Sequence, residues 1–161
     1  MFRIGIGYDI HKKSINRPLY LGGLKISEKN GLLGHSDADI IIHTICDSIL
    51  GALSKGDIGE HFSDKDIKNK NKRSEYFLKK IMKIMKKDSF EIINLDSTLI
   101  CEKPRLSRYK NKIRKNIAKI LGIKVDAVSV KATSSESLGI IGEDRAMACK
   151  TIILLKKNEK N

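Results

Sequence analysis

The sequence predicts an α+β fold built as a single domain over residues 1–161. Three observations carry this. The chain opens on a strand-like segment whose polar residues fall two apart, later segments place apolar residues at helical spacing, and strands and helices follow one another in a mixed order.

The first strand is expected over residues 2–8 and leads into Asp9-Ile10-His11. Residues two apart on a strand point to one face, so the Asp9 carboxylate and the His11 imidazole can meet at one point without special backbone geometry. A short strand is expected at 19–21 and a helix over 37–53. Ser36 reads as the N-cap of that helix, with Asp39 three residues on completing a capping-box-like start. Ile41, Ile42, Ile45, Ile49 and Leu53 form its buried stripe, while Asp39, His43 and Asp47, one turn apart, share a face. Carboxylates flanking a histidine either orient a metal-bound imidazole or stand as helix-surface acids. Asp9, His11 and His43 together suit one tetrahedral zinc with its fourth position open, the arrangement of catalytic sites.

Residues 53–66 read as an acidic, glycine-punctuated loop, with Asp57, Glu60, Asp64 and Asp66, and His61 as a surface residue. A lysine-studded helix is expected over 75–87, its apolar stripe made of Phe77, Leu78, Ile81, Ile84 and Met85. A strand over 91–101 follows, then a helix over 108–121 stopped by Gly122, and strands over 125–131 and 146–155.

The chain carries 32 Lys and Arg against 19 Asp and Glu, a formal net charge of +13, yet the segment from His35 to Asp66 collects carboxylates. An anionic substrate could bind there only through cations that invert the local charge. Cys46, Cys101 and Cys149 are odd in number and form no C-x-x-C pair, which points to reduced, buried thiols in the cytoplasm. No charged-then-apolar leader opens the sequence and no apolar run approaches membrane-spanning length, so neither export nor a membrane is expected.

Five motifs occur in fixed order: Gly7-Tyr8-Asp9-Ile10-His11, Leu21-Gly22-Gly23, the run from Gly31 through Gly34-His35-Ser36-Asp37-Ala38-Asp39, Gly56-Asp57-Ile58-Gly59, and Lys131-Ala132-Thr133-Ser134-Ser135-Glu136-Ser137-Leu138-Gly139. Over nearly the whole chain the sequence resembles the 2-C-methyl-D-erythritol 2,4-cyclodiphosphate synthase family of the non-mevalonate isoprenoid route. The resemblance implies a four-stranded mixed sheet with helices on one face, the sheets of three subunits facing a threefold axis. It also implies conversion of 4-diphosphocytidyl-2-C-methyl-D-erythritol 2-phosphate to the cyclic diphosphate with release of CMP.

Residue by residue, it implies zinc on Asp9, His11 and His43, and magnesium or manganese on Glu136. His35 and Ser36 would close on the 2-phosphate of the substrate, and Asp57 and Gly59 would meet the erythritol hydroxyls. Ala132, Thr133 and Ser134 would stand near the phosphates. The segment 101–107, with Cys101, Pro104, Arg105 and Leu106, would read the cytosine. Sites would lie between subunits of a homotrimer. Where the family often has Gly-Phe-x-Gly-Arg-x-Glu-Gly, this chain departs with Ile140, Glu143 and Arg145.

Two other classes bear on the same residues. Nine Lys and Arg between Lys68 and Lys87 would suit a phosphate backbone, but aromatics are only 5% and scattered, so a nucleic-acid module lacks its stacking platform. A metal-dependent phosphohydrolase would use the same zinc and carboxylates to activate water.

Overall fold

The computed structural model describes residues 1–63 and 72–158. Asp64, Asp66, Lys68 and Lys70 lie outside the described residues. In chain order the elements are β1 (Phe2–Ser14), β2 (Leu19–Leu21), β3 (Leu24–Ser27), β4 (Gly31–Leu32), α1 (Ile40–Ala52), α2 (Ile58–His61), α3 (Ser74–Lys87), β5 (Phe90–Ile100), α4 (Lys110–Leu121), β6 (Val128–Thr133), α5 (Gly139–Gly142) and β7 (Ala146–Lys157).

The main sheet has the order β4-β1-β7-β5-β6, with β5 and β6 parallel and the other pairs antiparallel. It therefore has five strands where four were expected. The fifth, β4, is a two-residue edge that pairs Gly31 and Leu32 with Ser14 and Lys13. A pair that short carries no periodicity to read in the sequence. β1 continues six residues beyond its expected end because polar Asp9, His11 and Lys12 keep pairing with β7, as far as Lys12 opposite Ala146.

Helices α1, α3 and α4 cover one face of the sheet. Their stripes, including Ile41, Ile45 and Ile49 of α1, Leu78 and Ile81 of α3, and Ile113 and Ile117 of α4, close one continuous core over Leu95, Val128, Ile153 and Leu155. The opposite face is open. There Ile4, Ile6, Tyr8 and Ile10 of β1 alternate with buried or half-buried neighbours, and Ile152 of β7 lies beside Ile6. The strand alternation thus turns an apolar row outward.

Helix α1 begins later than expected, and its cap is Asp39 rather than Ser36. Asp39 Oδ1 accepts from the Ile42 amide at 3.2 Å, whereas Ser36 Oγ accepts from the amide of Ala38 at 3.1 Å, inside the preceding turn. Asp39 is fully buried and reaches further. Its oxygens accept from the Gly22 and Gly23 amides at 2.8 and 2.6 Å. Those glycines join β2 to β3 with φ of +59° and +83°, the left-handed pair that a two-residue hairpin turn requires. Gly122 closes α4 in the left-handed conformation, as expected.

Candidate metal centre

Strand β1 and helix α1 build the site by direct contact. Gly5, Gly7, Asp9 and His11 alternate along β1 and share the face beneath α1. A Cβ on Gly5 would lie 1.8 Å from the Ser48 carbonyl oxygen, and one on Gly7 would lie 2.1 Å from that of Thr44. The helix can sit this low only because both positions lack a side chain. It runs antiparallel to the strand, so His43, one residue before Thr44, arrives at Asp9.

The three donor atoms converge. Asp9 Oδ2 lies 2.8 Å from His11 Nε2 and 3.1 Å from His43 Nδ1, and the two nitrogens are 3.2 Å apart. Ligands held about 2.0–2.1 Å from a tetrahedral ion are about 3.3–3.4 Å from one another, so the triad stands close to what one ion needs. Among the described residues no other three His, Cys, Asp or Glu side chains converge in this way.

The electrostatics agree. Burial works against charge on Asp9, but hydrogen bonds and attraction from His11 and His43 outweigh it and hold the carboxyl well below its ordinary range. Burial likewise opposes charge on His43, and the Asp9 carboxylate overrides it, so His43 is raised. The three cysteines take no part. All are buried and unbridged, and burial pushes the Cys101 and Cys149 thiols up to about 11 and about 12.

The triad opens into a cleft of about 240 Å³. Gly34, His35 and Ser36 form one wall, Asp47, Ile58 and Gly59 another, and Phe62 and Phe77 an apolar end, their ring centroids 4.9 Å apart. Asp47 and Asp39 do not hydrogen-bond His43. Asp47 accepts from the first amide of α2, Ile58, at 2.8 Å, and Asp39 serves the cap and hairpin turn described above. Asp57 caps α2 through the Glu60 amide at 3.0 Å and stands outside the cleft wall. His61 is exposed, its Nε2 2.8 Å from the Lys55 carbonyl.

Three residues that line or brace the cleft, Ser74, Arg17 and Phe62, carried no signal in the sequence. Ser74 Oγ lies 3.0 Å from His43 Nε2, and Asp37 accepts from the hydroxyl and the amide of Ser74. Arg17 donates to the Gly34 and Ser36 carbonyls, both at 2.5 Å, and so braces the His35 loop from either side. Phe62 completes the apolar end. These three come from parts of the chain with no local pattern linking them to His43, whereas Asp37 belongs to the motif that leads into the His43 helix.

A second group of expected site residues lies elsewhere. Cys101 donates its amide to the Thr133 carbonyl at 3.0 Å, and Glu102 accepts from the Ser135 amide at 2.9 Å, so segment 101–107 and segment 132–136 form one cluster at the ends of β5 and β6. Cys101 and Leu106 are buried there, and Arg105, Ala132, Thr133, Ser134 and Glu136 are exposed. Ser134 Oγ donates to Glu136 Oε1 at 3.0 Å, and Glu136 has a φ of +53°. None of these residues lines the cleft. Cross-strand register shows why: Thr133 falls in one row with Ile100, Ala148 and Ile10, and Ile10 points to the open face, away from Asp9 and His11. Within one chain Thr133 therefore turns away from the face that carries Asp9 and His11.

Fold and site together define an α+β domain that keeps a donor triad able to hold a metal ion in an open cleft. A family model described as the YgbB family matches residues 2–156. The sequence is 47% identical over 159 residues to the 2-C-methyl-D-erythritol 2,4-cyclodiphosphate synthase of Clostridium kluyveri, covering 99% of this chain and 97% of that one. It is 49% identical to the enzyme of the same name from Clostridium novyi, over 98% of this chain and 99% of the relative. Among solved structures, the bifunctional IspDF from Campylobacter jejuni superposes with a TM-score of 0.95 at 38% identity, over 99% of this chain and 43% of that longer one. The IspF of Plasmodium falciparum in complex with CDP does so at 0.85 and 42% identity, over 98% and 97%. The chain belongs to the YgbB family, that of the 2-C-methyl-D-erythritol 2,4-cyclodiphosphate synthases. Among the described residues no helix is long and apolar enough to cross a membrane.

Proposed function

We infer that this chain cyclises 4-diphosphocytidyl-2-C-methyl-D-erythritol 2-phosphate to 2-C-methyl-D-erythritol 2,4-cyclodiphosphate and CMP, in the cytoplasm and as a homotrimer. The observation that carries the reading is the convergence of Asp9, His11 and His43 within a cleft of about 240 Å³ in a chain of this family. An oxygen of the 2-phosphate attacks the β-phosphorus, the bond from that phosphorus to the oxygen bridging to the α-phosphorus breaks, and CMP leaves with that oxygen. No water is consumed. Both reacting groups are anions on one molecule, so catalysis consists of alignment and charge neutralisation, without a protein nucleophile. Asp9, His11 and His43 would hold zinc and Glu136 magnesium or manganese, and when bound these cations supply the positive charge that offsets phosphate repulsion.

The remaining roles belong to the chain. His35 and Ser36, on the loop braced by Arg17, orient the 2-phosphate, and Asp57 and Gly59 meet the erythritol hydroxyls. Cys101, Pro104, Arg105 and Leu106 hold the cytosine, consistent with the CDP in the Plasmodium falciparum relative. Ala132, Thr133 and Ser134 stand at the phosphates.

Two features support assembly. The outward row of Ile4, Ile6, Tyr8, Ile10 and Ile152 is an apolar surface of the kind that partner subunits cover. The separation of the metal half from the Glu136 half within one chain is resolved if neighbouring subunits each supply one.

Phosphorus NMR of the reaction with the cytidine substrate tests the reading. CMP and the cyclic diphosphate should appear in equal amounts, and chelator should abolish both. Orthophosphate or a linear diphosphate would identify a phosphohydrolase instead.

A further inference from the structure

The imidazole of His43 is held from behind. Its Nδ1 faces Asp9 and His11, while its Nε2 lies 3.0 Å from the hydroxyl of Ser74, the first residue of α3. Ser74 is fully buried, and its Oγ donates to Asp37 Oδ1, which also accepts from the Ser74 amide at 3.1 Å. Asp37 is pinned in turn by Arg73, whose Nε donates to Oδ2 at 2.7 Å and whose guanidinium stacks 4.2 Å over the Tyr20 ring.

A serine hydroxyl has one proton. With that proton spent on the Asp37 carboxylate, Oγ can only accept from His43 Nε2–H. A neutral imidazole protonated at Nε2 leaves the lone pair of Nδ1 directed at the Asp9 and His11 donors, the state a metal ligand needs. Ser36 Oγ is 3.4 Å from the same nitrogen, a longer contact, and it already accepts from the Ala38 amide.

We propose that Ser74 is a positioning residue of the metal centre: the chain Asp37–Ser74–His43 selects the His43 tautomer that binds metal through Nδ1 and fixes the ring over Asp9. This rests on the metal reading given under Proposed function. The relay also ties the start of α3 to α1 across the cleft, so the ring orientation is set by an element distant in sequence.

Cobalt(II) is the probe, added to metal-free wild-type protein, Ser74→Ala, Ser74→Thr and Asp37→Asn, with affinity read by chelator competition and site geometry by the visible ligand-field bands. Loss of one such outer partner lowers metal affinity by about 10–100-fold. Ser74→Ala should show that loss with altered bands, Ser74→Thr should restore both, and Asp37→Asn should show a smaller loss. Melting curves identify a variant that fails to fold, in which case the Asp37→Asn result decides.

Nitrogen-15 NMR of His43 in metal-free protein, in alkaline buffer, reads the tautomer directly. Without metal the Asp9 carboxylate competes for a proton on Nδ1, so the readout is the Nε2–H fraction, which should be similar in wild type and Ser74→Thr and should fall in favour of Nδ1–H in Ser74→Ala. Equal cobalt affinity in folded Ser74→Ala or Asp37→Asn and wild type, with the tautomer unmoved, would overturn the relay while leaving the metal site intact. If wild type takes up no cobalt yet the tautomer depends on Ser74, the metal reading falls and the relay stands.

Discussion

Gly7 lies so close beneath Thr44 that a methyl group at position 7 would sit 2.1 Å from the Thr44 carbonyl oxygen. That contact sets the height of α1 above β1. It also sets the candidate metal site, because His43 precedes Thr44 and Asp9 is the next residue after Gly7 on the same face of the strand.

Gly7→Ala should therefore lift the helix and weaken both the fold and metal uptake. Overpacking of this kind costs about 1–3 kcal/mol, or roughly 2–4 °C in melting temperature per kcal/mol for a domain of this size. Gly51→Ala is the control. It lies in the same helix, and its added Cβ would meet only the Ile6 carbonyl oxygen, at an ordinary 3.7 Å. Thermal melts with and without zinc should show Gly7→Ala lowered and Gly51→Ala unchanged or raised.

His43→Ala should lose most of the bound metal, since one of three protein ligands is gone. Metal analysis of purified wild type is expected to give about one zinc per chain. Full retention in the variant would take α1 out of the site.

Acid and metal should pull in opposite directions on the metal-free protein. The folded pKa of His43 is raised above its ordinary 6.5, so its pairing with Asp9 stabilises the fold fully below that value and is lost as pH rises through the raised one. Asp9 is depressed below 3.8, so its contribution is present above that value and lost only as pH falls further. Metal requires a neutral imidazole, so its stabilising effect should grow with pH over the window in which the ion pair fades. Melting temperatures of metal-free and zinc-loaded protein across mildly acidic to alkaline buffers should diverge with rising pH. Parallel curves would contradict the shared use of His43 by proton and metal.

Mixing two dead variants tests the shared site. His43→Ala and Glu136→Ala, unfolded and refolded together in equal amounts, should recover about a quarter of wild-type activity, because half of each kind of half-site is intact and the two combine at random around a ring. If one chain supplied both halves, every site would carry a lesion. Inactivity after verified subunit exchange would then sink the trimer arrangement.

Much of this protein is legible without coordinates where the signal is local. The same-face placement of Asp9 and His11 follows from strand alternation, the stripes of α1 and α3 from helical periodicity, and the α4 stop from Gly122. The resemblance carried by five ordered motifs named the family that the comparisons then showed. Of the elements of two to four residues only β2 was expected; β3, β4, α2 and α5 were not legible, because a single turn or a few bridges contain no period to detect.

By itself the sequence determined the fold class, the longer elements and the same-face pairing of Asp9 with His11, all of which rest on residue type and spacing within a few turns of chain. Tertiary structure alone decided what the neighbouring acids do. Asp39, placed on the His43 face by its spacing, turns instead to the Gly22 and Gly23 amides, and Asp37, a motif residue with no role assigned from the sequence, reaches His43 through Ser74. A carboxylate goes where buried donors are left unpaired, and which donors those are depends on how distant segments close over one another. For the same reason only the fold separated Thr133 from the cleft: register across four strands turns the Thr133 row to the open face, and no spacing along the chain encodes that.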